Sequence, residues 1–382
     1  MKFIHLADLH IGKSVNGFPM LNEQRHAFDQ VIGLIQTEHP AAVVIAGDVY
    51  DRAVPGTEAV RLFDDFLTEL SREEVAVMLV SGNHDSPERL SYASRLLSDQ
   101  GIHLCGAFCG RLRKIALADE HGDVNFWLLP FIKPYSVRGL LGESEIESYD
   151  EALMAAIETA DIDYSVRNVL VSHQFYTLHG TTPVRSDSEL NPVGGIDAVN
   201  AEIIEKFDYA ALGHLHGAQA AGMPHIRYAG SPVKYSFSEI RQKKSVTIVE
   251  LGKKGEVAAT AVPLAPIHEM REIKGSLDKL TSSDVLQLAD REDYLRVILT
   301  DEAEIIDPLG KLRSVYPNIM SLGFENSRTK IDVAAAAAGA ERVEKLSAYD
   351  LFCEFFLDTQ GSAMSEEQAG IARGLLERGN EE

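Results

Sequence analysis

The sequence predicts an α/β protein with two facing sheets, followed by a small α+β module and a helical tail. Three observations predict it. Five short apolar runs, KFIHLA, AVVIAG, VAVMLVSG, NVLVSH and YAALGH, each lead directly into residues of metal-binding type. The first three runs alternate with amphipathic helical stretches, the strand, helix, strand, helix order of a layered α/β domain. The middle of the chain then turns to strand pairs with few long helices between them, which predicts a second sheet facing the first.

Each element has its reason. Four to six apolar residues rich in Val, Ile and Leu read as a buried strand, and the C-terminal edge of such strands is where open α/β sheets bind ligands. Between the first two runs, Phe28, Val31, Ile32, Leu34 and Ile35 recur at helical spacing, with Pro40 as the stop. A second helix is expected over Glu58 to Leu70, where Val60, Leu62, Phe63, Phe66, Leu67 and Leu70 cluster on one side. A third is expected from Glu88 to Ser98, after Pro87. RLRKIALA and DVNFWLLP look like paired strands, and KKSVTIVEL with EVAATAVPL flank GKKG as a hairpin; all four are assigned to the second sheet. A helix from Ser148 to Ala160 and a polar loop rich in Gly and Pro, Thr177 to Gly195, interrupt them; long loops of that composition are often active-site loops.

A boundary near Pro263 to Pro266 closes a first domain at residues 1–265. Residues 266–333 then read as the α+β module: strand YLRVILTD, helix PLGKLRSVYP ending at Pro317, and strand NIMSLGFEN. Ala334 to Ala340 is low in complexity and fits a helix or a linker equally well. The tail, 341–382, carries two helical patterns, YDLFCEFFLDTQ and SEEQAGIARGLLERG. Ser365 with Gln368 has the form of a capping box.

Composition bounds the function. The 382 residues carry 36 Lys plus Arg against 58 Asp plus Glu, a formal net charge of -22. Such acidity favours solubility and repels nucleic acid at long range, so a DNA substrate needs bound metal, a local basic patch or a partner subunit to attract it. Cys105, Cys109 and Cys353 form no even disulfide framework, which points to a reducing compartment. A zinc site at His103, Cys105 and Cys109 lacks a clear fourth ligand, and small buried hydrophobes are the better reading of these cysteines. No signal peptide precedes the strand at Lys2, and no apolar stretch reaches the roughly 18 residues that span a bilayer. The expectation is a cytoplasmic protein with no membrane association.

The chemistry lies at the strand ends: Asp8 and His10 in DLH, Asp48 in GDVYD, Asn83 and His84 in GNHD, His173 in SHQ, and His214 with His216 in GHLH. Taken singly, Asp48 reads as a turn or helix-capping residue and each His as a solvated or satisfied core residue. That plain reading is kept for His5, His26, His39, His121, His225 and His268. Two Asp, one Asn and four His converging from five strands instead make enough oxygen and imidazole donors for two adjacent divalent cations. A carboxylate at Asp48, just after the flexible Gly47, can bridge cations about 3.5 to 4 Å apart, which acidify a shared water and stabilise phosphoryl charge. Phosphoester hydrolysis follows. Asn83 offers a neutral carbonyl oxygen, while its neighbour His84 points elsewhere and serves as the non-ligand that stabilises developing charge or protonates the leaving oxygen. Asp51 or Asp85 would orient the His84 imidazole, with Asp51 preferred. His214 and His216 project to one side of an extended segment, so two imidazoles reach neighbouring metals. Mixed oxygen and imidazole ligands suit manganese or iron better than magnesium alone, and zinc stays open.

DLH, GDVYD, GNHD, SHQ and GHLH, in this order, resemble the calcineurin-like metallophosphoesterase signature across residues 1–265. HLADLHIGKSVNGFPML, SELNPVGGIDAVNAEIIEKFDYAALGHLHGAQ and YAGSPVKYSFSE further resemble the SbcD family, bacterial counterparts of the Mre-type repair nucleases. The resemblance implies a four-layer αββα sandwich and a two-manganese site, with Fe2+ or Zn2+ as alternatives. Asp8, His10, Asp48 and His216 would hold one ion, and Asp48, Asn83, His173 and His214 the other, with His84 catalytic.

It also implies a double-strand exonuclease and single-strand or hairpin endonuclease working with an SMC-like ATPase of the SbcC type, through which alone ATP enters. Residues 266–333 would be a DNA-facing cap, and helices near 58–70 and 88–100 would pair two copies as a homodimer. In the tail, Tyr349, Leu351, Phe352, Phe355, Phe356 and Leu357 would dock on the partner's coiled-coil root, against the plainer reading that they pack on their own chain. Lys274, Lys279, Arg291, Arg296, Lys311 and Arg313 add positive charge without a dense stripe, so weak DNA binding by this subunit alone is expected. Two alternatives compete: a stand-alone phosphodiesterase or phosphatase on small nucleotides, which would not need residues 267–382, and a non-enzymatic scaffold, which would not need a full ligand set.

Overall fold

Alternating buried side chains build two six-stranded sheets in the computed structural model, which describes residues 1–178, 183–189, 198–327, 348–360 and 364–378. Part of the expected active-site loop, the end of the 266–333 module, the Ala334 to Ala340 run and the first residues of the 341–382 tail lie outside the described residues. The first sheet runs in the order Val257–Pro263, Ser245–Leu251, Lys2–Leu6, Ala42–Ala46, Ala76–Val80, Ile102–Cys105. The last four strands are mutually parallel. The second sheet runs Gln219–Ala221, Met223–Tyr228, Tyr209–Leu212, Arg167–Ser172, Gly122–Leu129, Arg113–Asp119, parallel at its centre and antiparallel at both edges.

Strand alternation stacks the two sheets. Ala42, Val44 and Ala46 face one core with Phe3, Phe126, Val169, Val171 and Tyr209, whereas Val43 and Ile45 face the helices on the other side. Phe3 meets Phe126 and Tyr209 edge-on at ring separations of 5.4 and 5.8 Å. Helices Leu21–Glu38 and Thr57–Arg72 cover the outer face of the first sheet, and Tyr149–Glu158 covers that of the second. Each fully buried Val, Ile or Phe contributes roughly 1.5–3 kcal/mol, so strands apolar on both faces are stable only inside such a sandwich. The layers are helix, sheet, sheet, helix, as expected.

Two expectations change. The Ser245–Leu251 and Val257–Pro263 hairpin joins the first sheet, not the second, because Ser245–Leu251 pairs antiparallel with Lys2–Leu6. Its alternation shows a hairpin but says nothing about a partner strand at the far end of the domain sequence. The helix expected from Glu88 to Ser98 is two short ones, Pro87–Leu90 and Ser94–Ser98, separated at Ala93, whose φ is 58°. Beside this break the Gly106 backbone lies so close that a Cβ there would stand 2.2 Å from the Pro87 carbonyl and 2.4 Å from Ser91 Oγ. Among the histidines given a plain reading, His5 is buried between the sheets on the Tyr209 hydroxyl and the Leu212 carbonyl, at 3.1 and 3.2 Å. Cys105 is buried and Cys109 exposed.

The chain forms two compact units. One comprises Met1–Glu272, Asp290–Arg296 and Tyr316–Ser321, and the other Ile273–Ala289, Val297–Val315 and the described part of Leu322–Glu382. Strands Tyr294–Leu299 and Ile319–Phe324 form where the sequence places them, and the expected helix starts at Pro308 but stops at Arg313, short of Pro317. A third strand, Met270–Gly275, pairs beside Tyr294–Leu299 and adds to the expected module. In the tail, helices Ala348–Gln360 and Glu366–Arg378 form, and Ser365 and Gln368 exchange both hydrogen bonds of the capping box, at 2.9 and 3.3 Å. Phe352, Phe355 and Leu357 are exposed there. No described helix is long and apolar enough to cross a membrane.

Candidate metal centre

Five strand ends deliver the donors to one cluster in the first unit. Asp8, His10, Asp48, His173, His214 and His216 are all buried, and Asn83 and His84 are half-buried at its margin. Asp48 is central. Its Oδ2 lies 3.3 Å from His173 Nε2 and 3.7 Å from His10 Nε2, while its Oδ1 accepts the His84 main-chain N–H at 2.9 Å. Asn83 Oδ1 sits 3.1 Å from His173 Nε2 and 3.2 Å from His214 Nδ1. On the other side, His10 Nε2 and His216 Nε2 face each other at 3.0 Å. Three donor groups each lie within 4.8 Å: Asp8, His10 and His216; His10, Asp48 and His84; and Asp8, Asp48 and His173.

The backbone is bent to make this possible. Asp8, His10, Asp48 and His214 all have positive φ, at 53, 42, 50 and 101°, a conformation that costs free energy and persists where the surroundings enforce it. The His214 value means GHLH is not extended, and the two imidazoles do not project to one side as expected; they still reach adjacent donor groups, His214 toward Asn83 and His216 toward His10. Glycines clear the space: a Cβ at Gly47 would stand 2.3 Å from His173 Nδ1, at Gly82 2.1 Å from Asp48 Oδ1, and at Gly213 1.9 Å from the Ala46 carbonyl.

The donor set fits divalent cations. Two imidazole Nε2 atoms pointing at each other, with Asp8 and Asp48 carboxylates beside them, form a concentration of lone pairs that a shared cation satisfies. Proton balance agrees. Burial, together with the neighbouring Asp48 charge and against the pull of His173, raises the Asp8 carboxyl well above the carboxylate range. Burial also works to raise Asp48, but His173, His10 and His84 outweigh it and hold it well below that range. The same two carboxylates overcome burial at His173 and draw its imidazole up to about 9, whereas burial and the His173 charge push His214 down to about 3. Without cations, then, the site must import a proton to balance its carboxylates.

The nine anticipated residues are brought together, with one change of atom. His84 Nδ1 donates to the main-chain carbonyl of Asp51 at 2.9 Å, not to its carboxylate. That carboxylate is held by Lys13 at 2.6 Å. Asp85, the other option, accepts the N–H groups of Val49, Tyr50 and Gly82 and so pins two of the ligand loops. Sequence reasoning missed a further set of supports: Glu239 and Ser188 at His216 Nδ1, Glu189 at the His216 N–H, and Gln24 at the His10 carbonyl. All four are polar residues without strand-end spacing, so nothing local marks them.

Comparison with known proteins agrees with this geometry. Residues 1–218 match the calcineurin-like phosphoesterase family, and residues 266–360 match SbcD_C, the type 5 capsule protein repressor C-terminal domain. The chain is 32% identical to the SbcD subunit of the SbcCD nuclease of Staphylococcus epidermidis over 84% of its own length and 85% of the relative's. Against the corresponding SbcCD nuclease subunit of Staphylococcus saprophyticus it is 29% identical over the full length of both. The chain therefore belongs to the calcineurin-like phosphoesterases and, among them, to the SbcD family of metal-dependent nuclease subunits.

Proposed function

We propose that this chain is the nuclease subunit of an SbcCD-type complex, cleaving DNA phosphodiesters as a double-strand exonuclease and as an endonuclease on single strands and hairpins. The observation that carries the reading is the buried Asp48 carboxylate between two donor sets. Asp8, His10, Asp48 and His216 would hold one divalent cation, and Asp48, Asn83, His173 and His214 the other, manganese being the expected metal. Bound there, divalent cations would supply Lewis acidity toward water and toward the charge on the phosphoryl group.

The chain's own residues do the rest. Asp48 holds the His84 main chain through its Oδ1, and the Asp51 carbonyl fixes the His84 ring through Nδ1. Nε2 is thereby presented to the leaving oxygen, where a protonated imidazole delivers its proton. Residues 266–333 serve as the DNA-facing cap, and 341–382 bind an SMC-like ATPase of the SbcC type. Exposed Phe352, Phe355 and Leu357 supply apolar surface for that docking. ATP enters through that partner alone. Two copies pair as a homodimer in the cytoplasm.

The test compares end-labelled duplex DNA, a DNA hairpin, bis(p-nitrophenyl) phosphate and a cyclic nucleotide, each with Mn2+ and with or without an SbcC-type ATPase. Cleavage of both DNA substrates, enhanced by the ATPase and ATP, is expected. Turnover of the small phosphodiesters with no DNA cleavage in any combination would replace this reading with the small-nucleotide one.

A further inference from the structure

The His216 ring is held on both sides, and only one side belongs to the donor set. Nε2 faces His10 Nε2 at 3.0 Å, inside the centre. Nδ1 faces outward, 2.8 Å from Ser188 Oγ and 3.2 Å from Glu239 Oε1. The Ser188 hydroxyl also contacts Glu239 Oε1, so its proton goes to the carboxylate and its lone pair is left for the imidazole. Glu239 in turn is fully buried, and its other oxygen accepts from Lys244 Nζ at 2.6 Å and from the Tyr235 N–H at 3.1 Å. Lys244, itself buried, ties back to the His216 carbonyl and to Ser231 Oγ, both at 2.9 Å.

A buried carboxylate and a buried ammonium are each costly alone and persist as a hydrogen-bonded pair. The proposed activity requires neither to touch substrate or cation. Resting on the metal reading above, we propose that Glu239 is a positioning residue: with Ser188 it fixes His216 in the Nδ1–H tautomer, so that Nε2 is always free to ligate, and Lys244 holds the carboxylate in place. Histidine ligands commonly donate their second N–H to a carboxylate, which sets both ring orientation and tautomer.

Hydrogen-bond polarity makes the idea testable with a near-isosteric change. Glu239 Oε2 receives two donors, so in Glu239→Gln the amide oxygen takes that place and the NH2 turns toward Ser188 and His216. The chain of donors then runs backwards. His216 Nδ1 becomes an acceptor and the proton moves to Nε2, where it blocks ligation.

Two measurements on the full chain separate this claim from the one it rests on. Nitrogen-15 NMR of the histidine rings in the metal-free protein is expected to show the Nδ1–H form of His216 in wild type and the Nε2–H form in E239Q. Mn2+ titration is expected to show two ions in wild type, with one of the two affinities weakened about 10–100-fold in E239Q and the other unchanged. A structural defect would lower both affinities together. An Nε2–H tautomer in wild type, or wild-type affinities at both ions in E239Q, overturns the proposal while leaving the two-metal reading intact. A wild-type protein that binds no Mn2+ overturns both. If E239Q does not fold, Glu239→Asp keeps the Lys244 pair but withdraws Oε1 from the ring, and the same selective weakening is expected; its absence overturns the proposal.

Discussion

In the proposed assignment the two halves of the centre share Asp48 but are built from different materials. His173 donates Nδ1–H to the main-chain carbonyl of Ala46 at 2.8 Å, on a strand of the facing sheet, and Gly47 and Gly213 give it room. His216 rests instead on side chains, Ser188 and Glu239, sent from 28 residues before and 23 after it. His10 is similar, its carbonyl held by Gln24 at 2.8 Å and its Nδ1 without a hydrogen-bond partner among the described residues. A ligand held by backbone needs only a strand end and a glycine. A ligand held by side chains depends on a network in which every member must be satisfied.

The largest effect comes from the residue common to both halves. Asp48→Asn keeps the shape but loses the charge that balances His173, so both cations should be lost and DNA cleavage should fall more than about ten-thousandfold. Retention of two Mn2+ ions by D48N would show that the halves do not share it. Next is His84, which belongs to neither half in the proposed assignment although its ring packs 4.8 Å from that of His10. His84→Ala should cut kcat about a hundred- to a thousandfold while Mn2+ binding stays at two ions. Loss of an ion in H84A would make His84 a ligand. Gly213→Ala attacks the backbone-held half alone: its Cβ would stand 2.7 Å from His173 Nδ1 as well as against the Ala46 carbonyl. One Mn2+ affinity should weaken about 10–100-fold, the reverse selectivity to that of Glu239→Gln. Equal weakening of both ions would erase the distinction between halves.

This difference also explains what can be read in the sequence. His173 and Asp48 are legible because a buried strand has a recognisable apolar run and its end is fixed by local chemistry. Glu239 and Ser188 are not, since each is an ordinary polar residue whose meaning depends on a contact made only after folding. The Ser245–Leu251 hairpin is legible as a hairpin and misplaced as to sheet for the same reason: pairing with Lys2–Leu6 is a long-range fact. The helix at 88–98 shows the converse limit, because apolar spacing there does not reveal the left-handed turn at Ala93. Asp51 stands out for its carboxylate, yet the carbonyl that every residue carries holds His84.

A smaller effect should distinguish the halves by protons. His173 is drawn up to about 9 in the metal-free protein, so at neutral pH it carries a proton that a cation must displace. His214 and His10 are pushed down by burial and stand ready as neutral ligands. Affinity for the ion assigned to His173 should therefore rise about tenfold per pH unit between about pH 7 and 8 and level off above about 9, whereas the ion assigned to His10 and His216 would displace the proton of the raised Asp8 carboxyl and follow that group instead. Isothermal titration in buffers of different ionisation enthalpy counts the protons released. An affinity for the His173 ion that does not change between about pH 7 and 8 would refute the proton placed on His173.

The least effect is expected at Gln24, which supports His10 from outside the centre. Its amide oxygen accepts the Gly12 N–H at 3.0 Å, and its NH2 donates to the His10 carbonyl and the Tyr235 hydroxyl, at 2.8 and 2.9 Å, with the Leu9 carbonyl 3.3 Å away. Gln24→Ala would leave several of these buried groups unpaired, at a cost of about 1–3 kcal/mol, or about 2–4 °C of Tm for each kcal/mol. Because the left-handed turn at His10 is held by these bonds, part of that cost should appear as a few-fold weaker ion on the His10 and His216 side. The ion assigned to Asn83, His173 and His214 would be held by residues that make no hydrogen bond to Gln24 and should bind as before. If Q24A lowered Tm but shifted neither affinity, the bent ligand loop would be held by Asp48 and Val49 through the His10 and Ile11 N–H bonds alone, both 2.9 Å, and the side-chain-held half would reduce to His216.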